Sequence, residues 1–189
     1  MKCLLAVHEE FYTLPETKFY QHVLVRNKSL LTKDKYPREH ADLPIEISRV
    51  QLDLSLSRLS NLGFLNLDDE LIEFLHKKID DRGLNRAEFF SYLVSFVKNK
   101  RGIVGKFLVE GTPRHAIFYK EIIDDFPDVR FIIMERDGLD SALSAKNTYS
   151  YPFFQGLEDA YALKKVCNEI YSSYPERVIS VAKGLDSAK

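Results

Sequence analysis

Apolar positions after residue 102 fall into three short runs that are rich in β-branched and aromatic residues, with longer mixed stretches between them. This order is typical of buried parallel strands joined by helices. The runs are Ile103 to Val109, Val129 to Met134 and Arg177 to Val181. The helices predicted between them are Pro113 to Asp125, Leu139 to about Thr148 and Leu157 to Ser173. We therefore predict an α/β fold whose parallel strands end at one common edge of a sheet.

The first hundred residues carry a pattern that is mostly helical. A short extended piece at 11–14 ends at Pro15, and a helix is predicted from Thr17 to Val25. The acidic residues 68–70 precede an apolar stripe and predict the start of another helix. Asn85 is predicted to be the N-cap of the next helix, which carries an aromatic stripe.

Composition and charge exclude several function classes. The chain has 27 basic and 28 acidic side chains and a formal net charge of −1, whereas a nucleic-acid-binding protein usually has a basic surplus. Cys3 and Cys167 lack the spacing of a zinc site or a disulfide framework. No segment approaches the roughly 20 apolar residues of a membrane span. We expect a soluble, cytoplasmic protein with neither nucleic acid nor a membrane as its partner.

The segment from Phe131 to Ser144 carries the strongest chemical signal. Arg136 follows a buried strand, Gly138 allows a tight turn into a helix, and Ser144 falls about two helical turns further on. A guanidinium and a hydroxyl at that edge would bind a phosphate, because arginine offers a planar fork of donors to phosphate oxygens. The alternative is that Arg136 caps the strand and pairs with Asp137 or Asp140. This segment alone favours neither interpretation.

A second segment, Val109 to His115, lies just upstream. Thr112 is predicted to cap a helix whose first residue is Pro113. That helix leads directly into the strand that precedes Arg136. The alternative is a well-capped helix start without a further role.

The two segments together resemble a known family. V-E-G-T-P-R-H, followed by F-P-D-V-R-F-I-I-M-E-R-D-G-L-D-S-A-L-S, is similar to sulfotransferases that use 3′-phosphoadenosine-5′-phosphosulfate (PAPS). That family carries K-T-P-x-H, then F-P-x-A-x-F-I, then R-D-G/P-x-D with a later serine. The resemblance implies that Arg136 and Ser144 bind the 3′-phosphate of the nucleotide and that Asp140 braces the turn.

The same resemblance extends to both ends of the chain. F-Y-T-L-P-E-T-K-F-Y looks like the family's L-P-E-T-x-F-F segment, which implies that Glu16 is the base that deprotonates the acceptor. Without the family, Glu16 is an acidic residue in a first helical turn, favoured there by the helix dipole. The C-terminal Y-P-E-R-V-I-S-V is similar to the family's last strand.

For the whole chain, the resemblance implies a transferase that uses PAPS as its co-substrate and needs no metal. The acceptor would be a hydroxyl or amine of a small molecule, a glycan or a peptide. The implied fold is a three-layer parallel sheet of P-loop nucleotide-binding type, formed as a single domain over residues 1–189. Residues 25–100 would be a helical insertion that shapes the acceptor pocket.

The sequence departs from the family in three places. The family begins with a strand and a Gly-rich loop that wraps the phosphosulfate, but this sequence has no glycine before Gly63, and the Gly/Lys cluster at 102–106 lacks Walker spacing. Gly111 stands where the family usually has lysine, and the chain ends soon after its last predicted strand. We expect a chain truncated at both ends, with apolar edges exposed where a central strand is missing. The alternative is a degenerate member without turnover that acts as a binding or scaffold protein.

Overall fold

The computed structural model describes residues 5, 7–14, 16–20, 46–48, 52–53, 56, 69–79 and 83–182. The architecture is α/β, with small two-stranded sheets among the helices of this part of the chain. By its internal contacts the chain divides into two compact units, one of 1–30 with 39–115 and one of 31–38 with 116–189. The α/β class predicted from the apolar runs is therefore confirmed.

The first unit combines two short sheets with two amphipathic helices. Its strands are β1 (Phe11–Thr13), β2 (Glu46–Ile47), β3 (Leu84–Asn85) and β4 (Phe107–Val109). Its helices are α1 (Asp69–Lys78) and α2 (Arg86–Lys100). β1 runs parallel to β4, and β2 runs antiparallel to β3. The most deeply buried apolar side chains of this unit come from both helices, from β3, from position 52 and from the segment after β1: Phe19, Tyr20, Leu52, Leu71, Leu75, Leu84, Phe89 and Leu93.

Both ends of α2 are fixed by local hydrogen bonds. Asn85 caps the first turn through its side chain, and the Glu88 carboxylate accepts a hydrogen bond from the Asn85 N–H in return, forming a capping box. At the other end Gly102 adopts a left-handed φ of 60°, and the Ile103 N–H reaches back to Lys98 O at 2.9 Å. The N-cap predicted at Asn85 is confirmed.

Gly105 sets how closely the connection to β4 approaches β1. Its φ is 127°, and a Cβ built there would lie 3.1 Å from the backbone of Phe11. No other residue type fits both constraints without strain. The Lys106 and Phe107 N–H groups both donate to Glu10 O, which leads the chain into the parallel pairing of β4 with β1.

The second unit contains one parallel strand pair and its helices. A 3₁₀ helix (Pro113–Phe118) leads into it, followed by α3 (Tyr119–Asp125), β5 (Phe131–Glu135) and α4 (Gly138–Tyr149). α5 (Phe153–Ser173), a second 3₁₀ turn (Pro175–Arg177) and β6 (Val178–Ala182) complete it. β5 and β6 are parallel in continuous register from Phe131 opposite Val178.

Helices cover one face of the β5–β6 pair. Phe131 and Val178 pack against a cluster formed by Tyr119, Val166 and Ile170. On the other face Ile132, Met134 and Ile179 are 37%, 49% and 54% exposed: the strands are half-buried, and the prediction of fully buried strands is wrong here. Among the described strands, β4 pairs with β1 and β5 with β6, so the three apolar runs do not share one sheet.

Element boundaries differ from the predicted ones in three further places. The strand before residue 110 begins at Phe107, because Gly102 and Gly105 turn the preceding chain. α5 begins at Phe153, directly after Pro152. Thr17 and Lys18 are not helical, since Lys18 has a φ of 51°. Residues 21–25 of the predicted Thr17–Val25 helix lie outside the described residues.

No helix of the described part of the chain is long and apolar enough to cross a membrane. Cys167 is a free, half-buried thiol, and burial raises its pKa. Cys3 lies outside the described residues.

Candidate functional site

The connection from β5 to α4 forms a tight, self-capped turn. The Asp137 carboxylate accepts hydrogen bonds from Leu139 N at 2.8 Å and from Asp140 N at 3.2 Å, so it caps α4. The Ser141 hydroxyl adds a bond to Asp137 O at 2.9 Å. The side chain that braces this turn is therefore that of Asp137, whereas the resemblance implied Asp140.

Arg136 lies at the carboxyl end of β5, immediately before this turn. Its guanidinium is exposed and donates one hydrogen bond, from Nη2 to the backbone carbonyl of Asp140 at 3.2 Å. It forms no ion pair within the described residues, so Asp137 and Asp140 do not neutralise it. Because arginine carries five N–H donors, most of them remain for a ligand.

Ser144 lies on α4, six residues after Gly138 and about 9 Å further along the helix axis. The side chain is half-buried, and within the described residues its hydroxyl forms no hydrogen bond. Arg136 and Ser144 thus belong to one strand–turn–helix segment, and we name them the phosphate clamp after the role that the resemblance implies. Arg136 keeps most of its N–H donors free, and the Ser144 hydroxyl forms no hydrogen bond within the described residues.

In the first unit a buried carboxylate joins the segments that follow β1 and β4. Glu110 Oε1 accepts hydrogen bonds from Thr17 N at 3.0 Å, Thr17 Oγ1 at 3.1 Å and Thr112 Oγ1 at 2.7 Å. Its Oε2 accepts from Thr112 N at 2.8 Å and lies 3.0 Å from His115 Nδ1. We call Thr17, Glu110, Thr112 and His115 the Glu110 cluster.

The environment of Glu110 keeps its carboxylate ionised. Burial alone would raise its pKa, but the hydrogen bond and the charge of His115 act in the opposite direction. The backbone N–H groups of Thr17 and Thr112 add to that effect, and together they lower the pKa of Glu110 from 4.5 to about 2. Because a carboxylate only accepts hydrogen bonds, His115 Nδ1 must carry a proton. Its Nε2 is buried and has no hydrogen-bond partner among the residues that the structure describes.

Thr112 connects this cluster to the residue after Thr17. Its hydroxyl donates to Glu110 and accepts a hydrogen bond from Lys18 N at 3.1 Å. Pro113 is the first residue of a helix, as predicted, but the helix is a 3₁₀ turn. The Thr112 hydroxyl does not cap the helix that follows it, because it is already hydrogen-bonded to the Glu110 carboxylate and to the Lys18 N–H.

Glu16 lies directly before Thr17 in the chain. Its side chain is exposed and makes no hydrogen bond or ion pair within the described part of the chain. Glu16 belongs to the first unit, whereas Arg136 and Ser144 belong to the second. Gly111, which replaces the lysine implied by the resemblance, is half-buried between Glu110 and Thr112.

Sequence reasoning missed Glu110 as the centre of a buried polar cluster. The one signal in the sequence is that Glu110 and Thr112 follow a strand with a single residue between them, which lets a carboxylate accept the N–H of the second residue on. Thr17, the other partner, is 93 residues away, and no spacing rule connects the two.

The described residues contain no group of three or more histidine, cysteine, aspartate or glutamate side chains that could hold a metal ion. Comparisons with models of protein families, with curated proteins and with solved structures found no significant match.

Proposed function

We propose that this protein is a sulfotransferase that moves a sulfuryl group from PAPS to a hydroxyl or amine of a small molecule, a glycan or a peptide. The observation that carries the proposal is the exposed guanidinium of Arg136 at the carboxyl end of a parallel strand, where a single hydrogen bond leaves most of its N–H donors for a ligand. Ligands of α/β proteins bind at that end of the strands. A planar fork of donors suits a phosphate there.

The local chemistry of the turn favours Arg136 and Ser144 as the phosphate ligands. Asp137 already accepts the N–H groups of Leu139 and Asp140 in the first turn of α4, so these two donors are not open to a second anion. An incoming 3′-phosphate would bind to the free donors of Arg136 and to the Ser144 hydroxyl. The resemblance in sequence assigns the same two residues to this role.

The reaction that we propose is a single in-line transfer. The acceptor oxygen or nitrogen bonds to sulfur, while the bond from sulfur to the bridging oxygen of the nucleotide breaks and its electron pair leaves with the nucleotide. By the resemblance, Glu16 takes the proton that the acceptor loses, a role that a carboxylate can perform. The exposed carboxylate of Glu16 has no competing hydrogen bond within the described residues.

The fold proposed for the active protein is a three-layer sheet of P-loop nucleotide-binding type. What supports that proposal is the strand direction, since β1 with β4 and β5 with β6 each form a parallel pair, as such a sheet requires. The exposed apolar face of Ile132, Met134 and Ile179 agrees with a sheet face that a further layer would cover.

Calorimetric titration with adenosine 3′,5′-bisphosphate and with 5′-AMP tests the phosphate clamp. The wild-type protein should prefer the bisphosphate, and Arg136→Ala should remove that preference by weakening bisphosphate binding about tenfold to a hundredfold. Ser144→Ala should weaken it less, because a neutral hydroxyl contributes less than a charged donor.

Matched controls exist in the same unit. Arg130→Ala removes the same charge from the opposite end of β5, and Ser172→Ala removes a hydroxyl that only donates to Asn168 O. Both should bind the bisphosphate as the wild type does. If Arg130→Ala weakens binding as much as Arg136→Ala, the attraction is a general charge effect and the clamp is refuted.

A further inference from the structure

We propose that Glu110 and Thr112 are positioning residues that fix Glu16 at the point where it takes the acceptor's proton. This inference rests on the proposed function, because Glu16 has a reaction to serve only if the protein transfers a group. The two residues act through the backbone of Thr17 and Lys18, and neither is required to touch the substrate.

The first step is that the backbone immediately after Glu16 is held from the other strand. Glu110 Oε1 accepts both the N–H and the hydroxyl of Thr17, at 3.0 and 3.1 Å. Thr17 is fully buried, so water does not compete for these two hydrogen bonds. The Cα of Glu16 is only about 3.8 Å from the Cα of that anchored residue.

The second step is the left-handed backbone of Lys18. A non-glycine residue at a φ of 51° costs about 1 kcal/mol or more and persists only where surrounding contacts compensate for it. Here the Lys18 N–H donates to Thr112 Oγ1 at 3.1 Å. The hydroxyl of Thr112 therefore stabilises the bend that directs the chain away from Glu16.

The third step is that the chain is held again directly beyond the bend. Phe19 is fully buried, and its ring lies 5.3 Å from the ring of Phe89 and 4.9 Å from that of Phe90, both on α2. Tyr20 lies edge-on to His115, with ring centroids 5.4 Å apart. Since residues 17–20 are packed and hydrogen-bonded, the exposed side chain of Glu16 projects from a rigid support.

A rigid support matters because proton transfer depends steeply on geometry. A displacement of about 1 Å in a catalytic group lowers a rate about a hundredfold even when binding is unchanged. Loosening the segment after Glu16 should therefore lower kcat and leave nucleotide affinity intact, because the phosphate clamp is formed by Arg136, directly after β5, and by Ser144 on α4.

The experiment compares Thr112→Val with Thr112→Ser. Valine keeps the volume of threonine but removes the acceptor for Lys18 N–H and a donor to Glu110, whereas serine keeps both bonds. Thr112→Val should lower kcat at least tenfold with the nucleotide KM and the bisphosphate Kd unchanged, and Thr112→Ser should stay close to the wild type. Hydrogen exchange should show faster exchange of the Lys18 amide only in the valine variant.

A double variant separates positioning from a general loss of stability. Because Thr112 acts through Glu16, Thr112→Val should add nothing to the loss already caused by Glu16→Gln. If the two losses multiply, or if the valine variant loosens the Lys18 amide but keeps the kcat of Thr112→Ser, the positioning role is refuted. A wild-type protein without turnover would instead refute the proposed function, and the inference with it.

Discussion

At the scale of single residues, the Glu110 carboxylate is the most strongly coupled charge that the structure describes. Two threonines and a histidine supply its hydrogen bonds from two different segments of the first unit. A carboxylate that is buried must be hydrogen-bonded in this way, because an unpaired buried charge costs several kcal/mol. The cluster therefore contributes to folding as well as to the position of Glu16.

The variant Glu110→Gln should be less stable than the wild type by about 3 kcal/mol at neutral pH, because each unit of pKa shift corresponds to about 1.4 kcal/mol. The pKa of Glu110 is lowered from 4.5 to about 2 on folding, so its contribution is fully present above pH 4.5. That contribution is lost as the pH falls through about 2. Urea unfolding at a series of pH values measures the difference.

Glu73→Gln is the control for this measurement. Its carboxylate also has a lowered pKa, because of the hydrogen bond and the charge of Lys77, but the ion pair is fully exposed. Solvent screens such pairs, so the variant should leave stability nearly unchanged. If Glu110→Gln were equally harmless, or if its cost did not shrink with falling pH, the account of the cluster would be wrong.

Single residues were predictable from the sequence where their partners are local. The cap at Asn85 and the first helical position of Pro113 depend on neighbours within a few residues. The roles of Glu110 and Thr112 depend on Thr17 and Lys18, which tertiary structure brings close. Lys18 could not be predicted as left-handed, because the hydrogen bond that stabilises this conformation comes from Thr112.

At the scale of elements, the helices followed their sequence signals more closely than the strands did. α1 begins at Asp69, within the predicted acidic start, and α4 begins at Gly138, the predicted turn residue. Helix boundaries depend on local caps, whereas a strand needs a partner that the apolar pattern does not identify. Residues 103 and 104 illustrate this, since they are apolar and lie outside β4.

The capping box of α2 gives a direct test at this scale. Asn85→Ala should lower the free energy of unfolding by about 1 kcal/mol, because it leaves the Ala87 N–H without its side-chain acceptor. The bond from the backbone N–H of residue 85 to Glu88 does not depend on the side chain and should remain. Thermal and urea unfolding measure the change.

Asn99→Ala is the matched control, since Asn99 is an exposed asparagine in the last turn of the same helix. It should be neutral or slightly stabilising because alanine has the higher helix propensity. Equal losses in the two variants would show that the cap contributes nothing specific.

At the scale of the whole molecule, the sequence predicted the α/β class and the parallel direction of its strands, but not how they pair. The apolar runs indicated one sheet, whereas β4 pairs with β1, a three-residue strand near the start of the sequence. Pairing of that kind is decided by long-range packing, including the approach of Gly105 to Phe11. The half-exposed face of β5 and β6 could not be predicted from their apolar composition alone.

The central claim, that Arg136 and Ser144 bind a 3′-phosphate, is tested most directly with two isomeric nucleotides. Adenosine 3′,5′-bisphosphate and adenosine 2′,5′-bisphosphate carry the same charge and differ only in the position of one phosphate. Titration calorimetry on the wild-type protein should show the 3′ isomer binding at least about tenfold tighter, the equivalent of about 1.4 kcal/mol. Equal affinities for the two isomers, or binding of neither, would contradict the claim.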